Sequence, residues 1–157
     1  MKGLSTFLWF DTQAEEAADH YTSIFDDGKI TGVTHYGTAG PRPAGMVMTV
    51  DFELAGQSFI ALNGGPNYRF NESVSIMIHC DTQDEVDRYW SRLTDGGEEG
   101  PCGWLKDKYG LSWQIVPTLM FELLGDPDPV KSQAAMAAML TMGKIDSRAL
   151  QDAFDNA

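Results

Sequence analysis

One short string occurs twice, and its spacing constrains the architecture more than any other feature. Asp11-Thr-Gln-Ala-Glu15 and Asp81-Thr-Gln-Asp-Glu85 lie 70 residues apart in a chain of 157. Each copy follows an apolar run and precedes a helical pattern. In each, a Thr stands three residues before a Glu, the spacing of a capping box, in which the hydroxyl and carboxylate satisfy free N–H groups at a helix start. Two strand–cap–helix units at a fixed interval predict two copies of one module, with a cleft between them as the place for function.

The rest of the pattern agrees. In the first copy Ser5–Phe10 predicts a strand, and Ala14, Ala17, Ala18, Tyr21 and Phe25 recur at helical spacing before Gly28. Lys29–Tyr36, Met46–Leu54 and Gln57–Asn63 follow as strands, with a turn-rich, exposed loop over Gly37–Gly45. In the second copy Val74–Cys80 predicts a strand. Val86, Tyr89, Trp90 and Leu93 mark a helix that Gly96-Gly97 ends, and Gly100–Leu105 and Leu111–Pro117 are the later strands. Gly110-Leu-Ser-Trp113 echoes Gly56-Gln-Ser-Phe59, so the modules match at their ends too. The expected fold is α+β: two βαβββ modules (residues 1–66 and 67–118) forming a curved mixed sheet around a cleft, within one structural domain. A helical tail occupies 119–157, with Asp128 capping a helix that has Pro129 at its first position. Met136, Met139 and Leu140 form a stripe there suited to packing, on this chain or a partner subunit.

Composition excludes several classes. The formal charge of −12 argues against nucleic acid and anionic membranes as partners. No apolar run approaches the ~20 residues of a membrane-spanning helix. Cys80 and Cys102 lack metal-type spacing; with no export signal evident, they are expected as free thiols in the cytoplasm.

The strings Trp9-Phe-Asp11, Asn63-Gly-Gly-Pro66, Cys102-Gly-Trp-Leu-Lys-Asp107, Gly110-Leu-Ser-Trp-Gln-Ile-Val-Pro117 and Lys144-Ile-Asp146 carry a resemblance. The chain resembles the vicinal-oxygen-chelate superfamily of glyoxalases, ring-cleaving dioxygenases and bleomycin- or fosfomycin-resistance proteins. Within it, the likeness is to the PhnB-like branch named 3-demethylubiquinone-9 3-methyltransferase. The resemblance implies the glyoxalase/bleomycin-resistance fold, a homodimer and a cleft. It implies a reaction only weakly, since function resides in the site.

Superfamily enzymes place metal ligands on the first and last strand of each module. Projected here, those positions fall at Ser5, Ile60, Ser75 and Gln114. Two hydroxyls, an alkyl group and an amide offer neither the imidazole nor the carboxylate that catalytic metals take. No metal centre and no other cofactor is therefore expected. A methyl donor of nucleotide type needs a glycine-rich strand–helix junction, and both junctions here carry Asp-Thr-Gln-x-Glu instead.

Other residues could act. Ser75, Met77 and His79 share a strand face by alternation, so His79 faces wherever Ser75 does and is the candidate general acid or base. Cys102 is the candidate nucleophile, given a stabilised thiolate. Cys80 points the other way and belongs to the core, while His20 and His35 are expected at the surface. Phe7, Trp9, Ser75, Trp104 and Gln114 are candidate ligand contacts, and Trp113 falls on the helix-packing side. Asn63-Gly-Gly-Pro66 follows a strand but opens no helix, so it is a weak phosphate loop. The leading expectation is a small-molecule-binding protein with an aromatic, metal-free cleft for a small organic ligand. An enzyme using His79, of the kind the family name suggests, and a plain structural dimer are the alternatives.

Overall fold

The computed structural model describes residues 3–157. The element order is β1 (Thr6–Phe10), α1 (Ala14–Ile24), β2 (Lys29–His35), β3 (Val47–Leu54) and β4 (Gln57–Asn63). The pattern then repeats: β5 (Ser75–Cys80), α2 (Gln83–Thr94), β6 (Glu98–Glu99), β7 (Trp104–Lys106) and β8 (Ser112–Pro117). Helices α3 (Thr118–Leu124), α4 (Pro129–Met139) and α5 (Ser147–Asp155) complete the chain. Each βαβββ copy forms its own four-stranded mixed sheet, ordered β1-β4-β3-β2 and β5-β8-β7-β6. The first and last strand of each copy pair in parallel, and the other pairings are antiparallel.

Two units result, Met1–Phe70 and Asn71–Ala157. The boundary falls beyond residue 66 for a physical reason. Tyr68 meets Trp9 edge-on at 5.0 Å and Phe70 meets Phe10 at 5.2 Å, which ties this segment to the first sheet. In the first unit, α1 buries Ala14, Ala17, Ala18 and Tyr21 against Val50, Phe52, Phe59 and Ala61. Tyr21 and Phe59 stack on the Phe52 ring at 6.2 and 5.3 Å. Alternation sends Leu8 and Phe10 into this core, and Phe7 and Trp9 to the opposite face.

The two helices start differently, although their strings match. At α2 the expected capping box forms: Thr82 accepts from the Glu85 N–H, and Glu85 reaches back to the Thr82 N–H. At α1 the expected Thr12–Glu15 box does not form; the N-cap is Gln13, and its side chain makes no capping bond. The acceptor comes from another strand instead: Asn63 Oδ1, at the end of β4, takes the Ala14 N–H at 2.8 Å. Asn63 pairs with Phe10 at the end of its parallel ladder, and the matching position beside Cys80 is Pro117. Proline has no side-chain acceptor to offer, so α2 must cap itself.

The second unit differs from expectation in two strands. Glu98-Glu99 forms a short strand that was not expected, and β7 is Trp104–Lys106 in place of Gly100–Leu105. Positive φ at Cys102 (55°) and Gly103 (82°) turns the chain just before β7, which delays the strand. Asp128 caps α4 as expected, accepting from Val130 and Lys131. The tail helices pack on the second unit: Met120, Leu123, Ala135, Ile145 and Leu150 form a core with Val116 of β8. Met139 packs against that core, whereas Leu140 is exposed.

Candidate functional site: the helix-free face of the second sheet

Strand register assigns every side chain of the second sheet to a face. Ser75, Ser112, Lys106 and Glu98 are cross-strand neighbours and form one row across all four strands. Met77, Gln114 and Trp104 form the next row, and His79 with Val116 the third. The opposite face carries Ile76, Trp113 and Leu105, then Ile78 and Ile115, and lies under α2. Cys80 is fully buried there, and burial pushes its thiol up to about 12, which leaves it inert.

Trp113 lies on the helix side, as alternation predicts, and is 1% exposed. Its indole N–H donates to the buried Asp107 carboxylate at 2.8 Å. The same carboxylate accepts from the Tyr109 and Leu111 backbone N–H groups, so it locks the β7–β8 turn.

The tail covers one end of the helix-free face. Val116 and Met77 pack against the tail core, and His79 lies against Phe121 of α3 with ring centres 5.6 Å apart. The other end opens into a cavity of about 410 Å³ lined by Glu72, Glu98, Gly100, Trp104, Lys106 and Ser112, among others. Lys106 forms an ion pair with Glu72, whose carboxylate is thereby held below its ordinary range. The Lys106 ammonium is correspondingly raised, by Glu72 first and also by Glu98. Ser112 lines this cavity at 1% exposure, and its buried hydroxyl has no hydrogen-bond partner. Buried polar atoms are nearly always paired, so this hydroxyl is an exception within the sheet.

Of the residues singled out from the sequence, Ser75, Gln114 and Trp104 stand together on this face. Gln114 Nε2 donates to Ser75 Oγ at 2.8 Å. Cys102 lies in the turn before β7, half-buried, where its backbone N–H donates to Met142 O at 2.8 Å. Phe7 and Trp9 occupy the helix-free face of the first sheet. Phe7 is 56% exposed, while the Trp9 indole donates to Gly65 O at 2.8 Å. His20 is half-buried rather than at the surface, tilted against Tyr21. Glu72 and Glu98 were missed, and Ser112 and Lys106 were read only as a face-mate of Gln114 and as a cation near Cys102. Ser112 and Lys106 were legible in principle, since each lies two residues from a residue already singled out, Gln114 and Trp104, and so shares its face.

The Asn63-Gly64-Gly65 segment is not an anion cradle. Its Gly64 and Gly65 N–H groups donate to Phe10 O and Asp11 O, at 2.8 and 3.3 Å. Gly64 is needed because a Cβ there would lie 2.4 Å from the Trp9 ring. The projected metal positions do not fit a metal either. Ser5 is exposed, Ile60 has no donor, and Ser75 and Gln114 bond to each other. Among the described residues, no three His, Cys, Asp or Glu side chains converge.

Paired βαβββ units with such faces define a protein of the vicinal-oxygen-chelate superfamily. More narrowly, a family model described as 3-demethylubiquinone-9 3-methyltransferase matches residues 2–116, and the chain belongs to that family. A PhnB protein from Bacillus cereus shares 33% identity at a TM-score of 0.64, over 74% of this chain and all of that one. Protein PA1353 from Pseudomonas aeruginosa shares the fold at 20% identity and a TM-score of 0.61, over 74% of this chain and 98% of the other. The fosfomycin resistance protein FosX from Listeria monocytogenes shares the fold at 16% identity and a TM-score of 0.51, over 74% and 93% of the two chains. No curated protein matches the sequence. The family match ends at 116, so the tail helices and the Lys144-Ile-Asp146 string lie outside it. Among the described residues, no helix is long and apolar enough to cross a membrane.

Proposed function

We propose that this chain is a small-molecule-binding protein that holds a small aromatic or hydrophobic ligand against Trp104, without a metal. One observation carries the reading: a cavity of about 410 Å³ walled by the Trp104 indole, with Pro101, Leu105 and Ser112 in its lining. A mostly apolar concavity with few placed polar groups is the usual form of a small-molecule site. Ser75 and Gln114 border the same face, while Phe7 and Trp9 give the first unit an open aromatic sheet face of its own. The reading assigns no catalytic step to His79 or Cys102. It also assigns no methyl transfer, because neither strand–helix junction has the glycine loop that a nucleotide-type methyl donor takes.

The test is titration with 3-methylindole, followed by calorimetry and by the Trp104 indole N–H resonance. Binding that shifts this resonance is expected, and Trp104→Ala should weaken it about tenfold through lost ring contact. No binding at millimolar probe, or equal binding by Trp104→Ala, would overturn the proposal.

The same reading includes a homodimer in the cytoplasm. Phe7, at 56% exposure on the helix-free face of the first sheet, supports a partner surface there, and the free thiols of Cys80 and Cys102 support a reducing compartment. Light scattering should give twice 17.3 kDa, and a monomer mass at micromolar concentration would remove the dimer.

A further inference from the structure

We propose that the Trp104 cavity selects a cationic aromatic amine over a neutral or anionic aromatic of the same shape. This inference rests on the ligand site just proposed and adds the charge of its occupant. Three observations converge on it. First, the cation lining the cavity, Lys106, is already committed: it forms an ion pair with Glu72, and Glu98 stands directly across from it in the β6–β7 register. A carboxylate ligand would have to break the Glu72 pair or approach two glutamates. Second, the charged residues lining the cavity, Glu72, Glu98, Glu99 and Lys106, carry a formal net charge of −2. The whole chain carries −12, so the long-range field also favours cations. Third, the remaining lining complements an aryl amine. The Trp104 ring offers a face for stacking or for an ammonium. Pro101 and Leu105 add apolar wall beside it.

The geometry assigns roles. Trp104 takes the ring and Glu98 faces the positive charge. Glu72 acts indirectly, by holding Lys106. No bond is made or broken in this scheme, so the site is one of recognition.

Three indoles of similar size separate the outcomes: tryptamine, 3-methylindole and indole-3-acetate, each titrated into the full chain at low salt. Tryptamine should bind more tightly than 3-methylindole by about threefold to fivefold, the scale of a solvent-accessible ion pair. Indole-3-acetate should bind most weakly. Glu98→Gln should bring the ratio of tryptamine to 3-methylindole affinity down to about one, a change of ratio that loss of fold would not produce. Glu72→Gln should instead improve indole-3-acetate binding, because it releases Lys106. Equal affinities for all three, or a preference for indole-3-acetate, would overturn the charge selection while leaving the cavity as a ligand site. Failure of all three to bind would remove the cavity reading and this inference together.

Discussion

Asp107→Ala should lower the stability of the chain by about 4 kcal/mol, a Tm drop of about 8–16 °C for a chain of this size. The carboxylate is 3% exposed and accepts from the Trp113 indole and from two backbone N–H groups. Removing it strands two buried donors and a third, part-buried one, and each buried one left unpaired costs about 1–3 kcal/mol. Asp107→Asn keeps one acceptor oxygen but turns an NH₂ toward a donor, so about half the loss is expected. Calorimetry with near-ultraviolet circular dichroism reads both effects, since Trp113 reports its own packing. A variant melting within 1 °C of the parent would show that the turn holds without the carboxylate.

The second large effect lies at Asn63. Its side chain takes the Ala14 N–H and gives its own N–H to Val47 O at 3.0 Å, at 1% exposure. Asn63→Leu leaves both groups unpaired in the core, at a cost of about 2–4 kcal/mol. Thr12→Ala, by contrast, should change stability by under about 0.5 kcal/mol, because Thr12 caps nothing. A working capping box at that position would lose about 1 kcal/mol on the same change, as Thr82→Ala should at α2. Urea titration of the three variants gives the ranking. Should Thr12→Ala cost as much as Thr82→Ala, the assignment of the α1 cap to Asn63 is wrong.

These two sites show how far the sequence reached. The repeat gave the element order, and alternation placed Trp113 and Cys80 in the core with Gln114 and Ser75 across the sheet from them. The first capping box failed although its string matches the second almost residue for residue. A local motif states what a segment can do, and β4 brought a better-placed acceptor. The Glu98-Glu99 strand was missed because two exposed glutamates carry no hydrophobic period to detect. At the candidate site the apolar wall was legible, since aromatic residues in strands announce themselves. The polar set was not. An orphaned hydroxyl is defined by what fails to reach it, and a committed lysine by what does.

Taken alone, the chain determined its two-module architecture, the faces of its strands, the family to which it belongs and the lack of metal donors at four projected positions. Those properties follow from residue type and short periodicities, which act between neighbours in sequence. Tertiary structure decided which helix caps itself and which borrows a side chain 49 residues away. It also decided that the tail packs on Met77 and Val116 and leaves the Trp104 end open. Finally, it set Lys106 between Glu72 and Glu98 above a hydroxyl with no partner. Each of these depends on strand register, which brings distant residues within bonding distance and is fixed only when the sheets assemble.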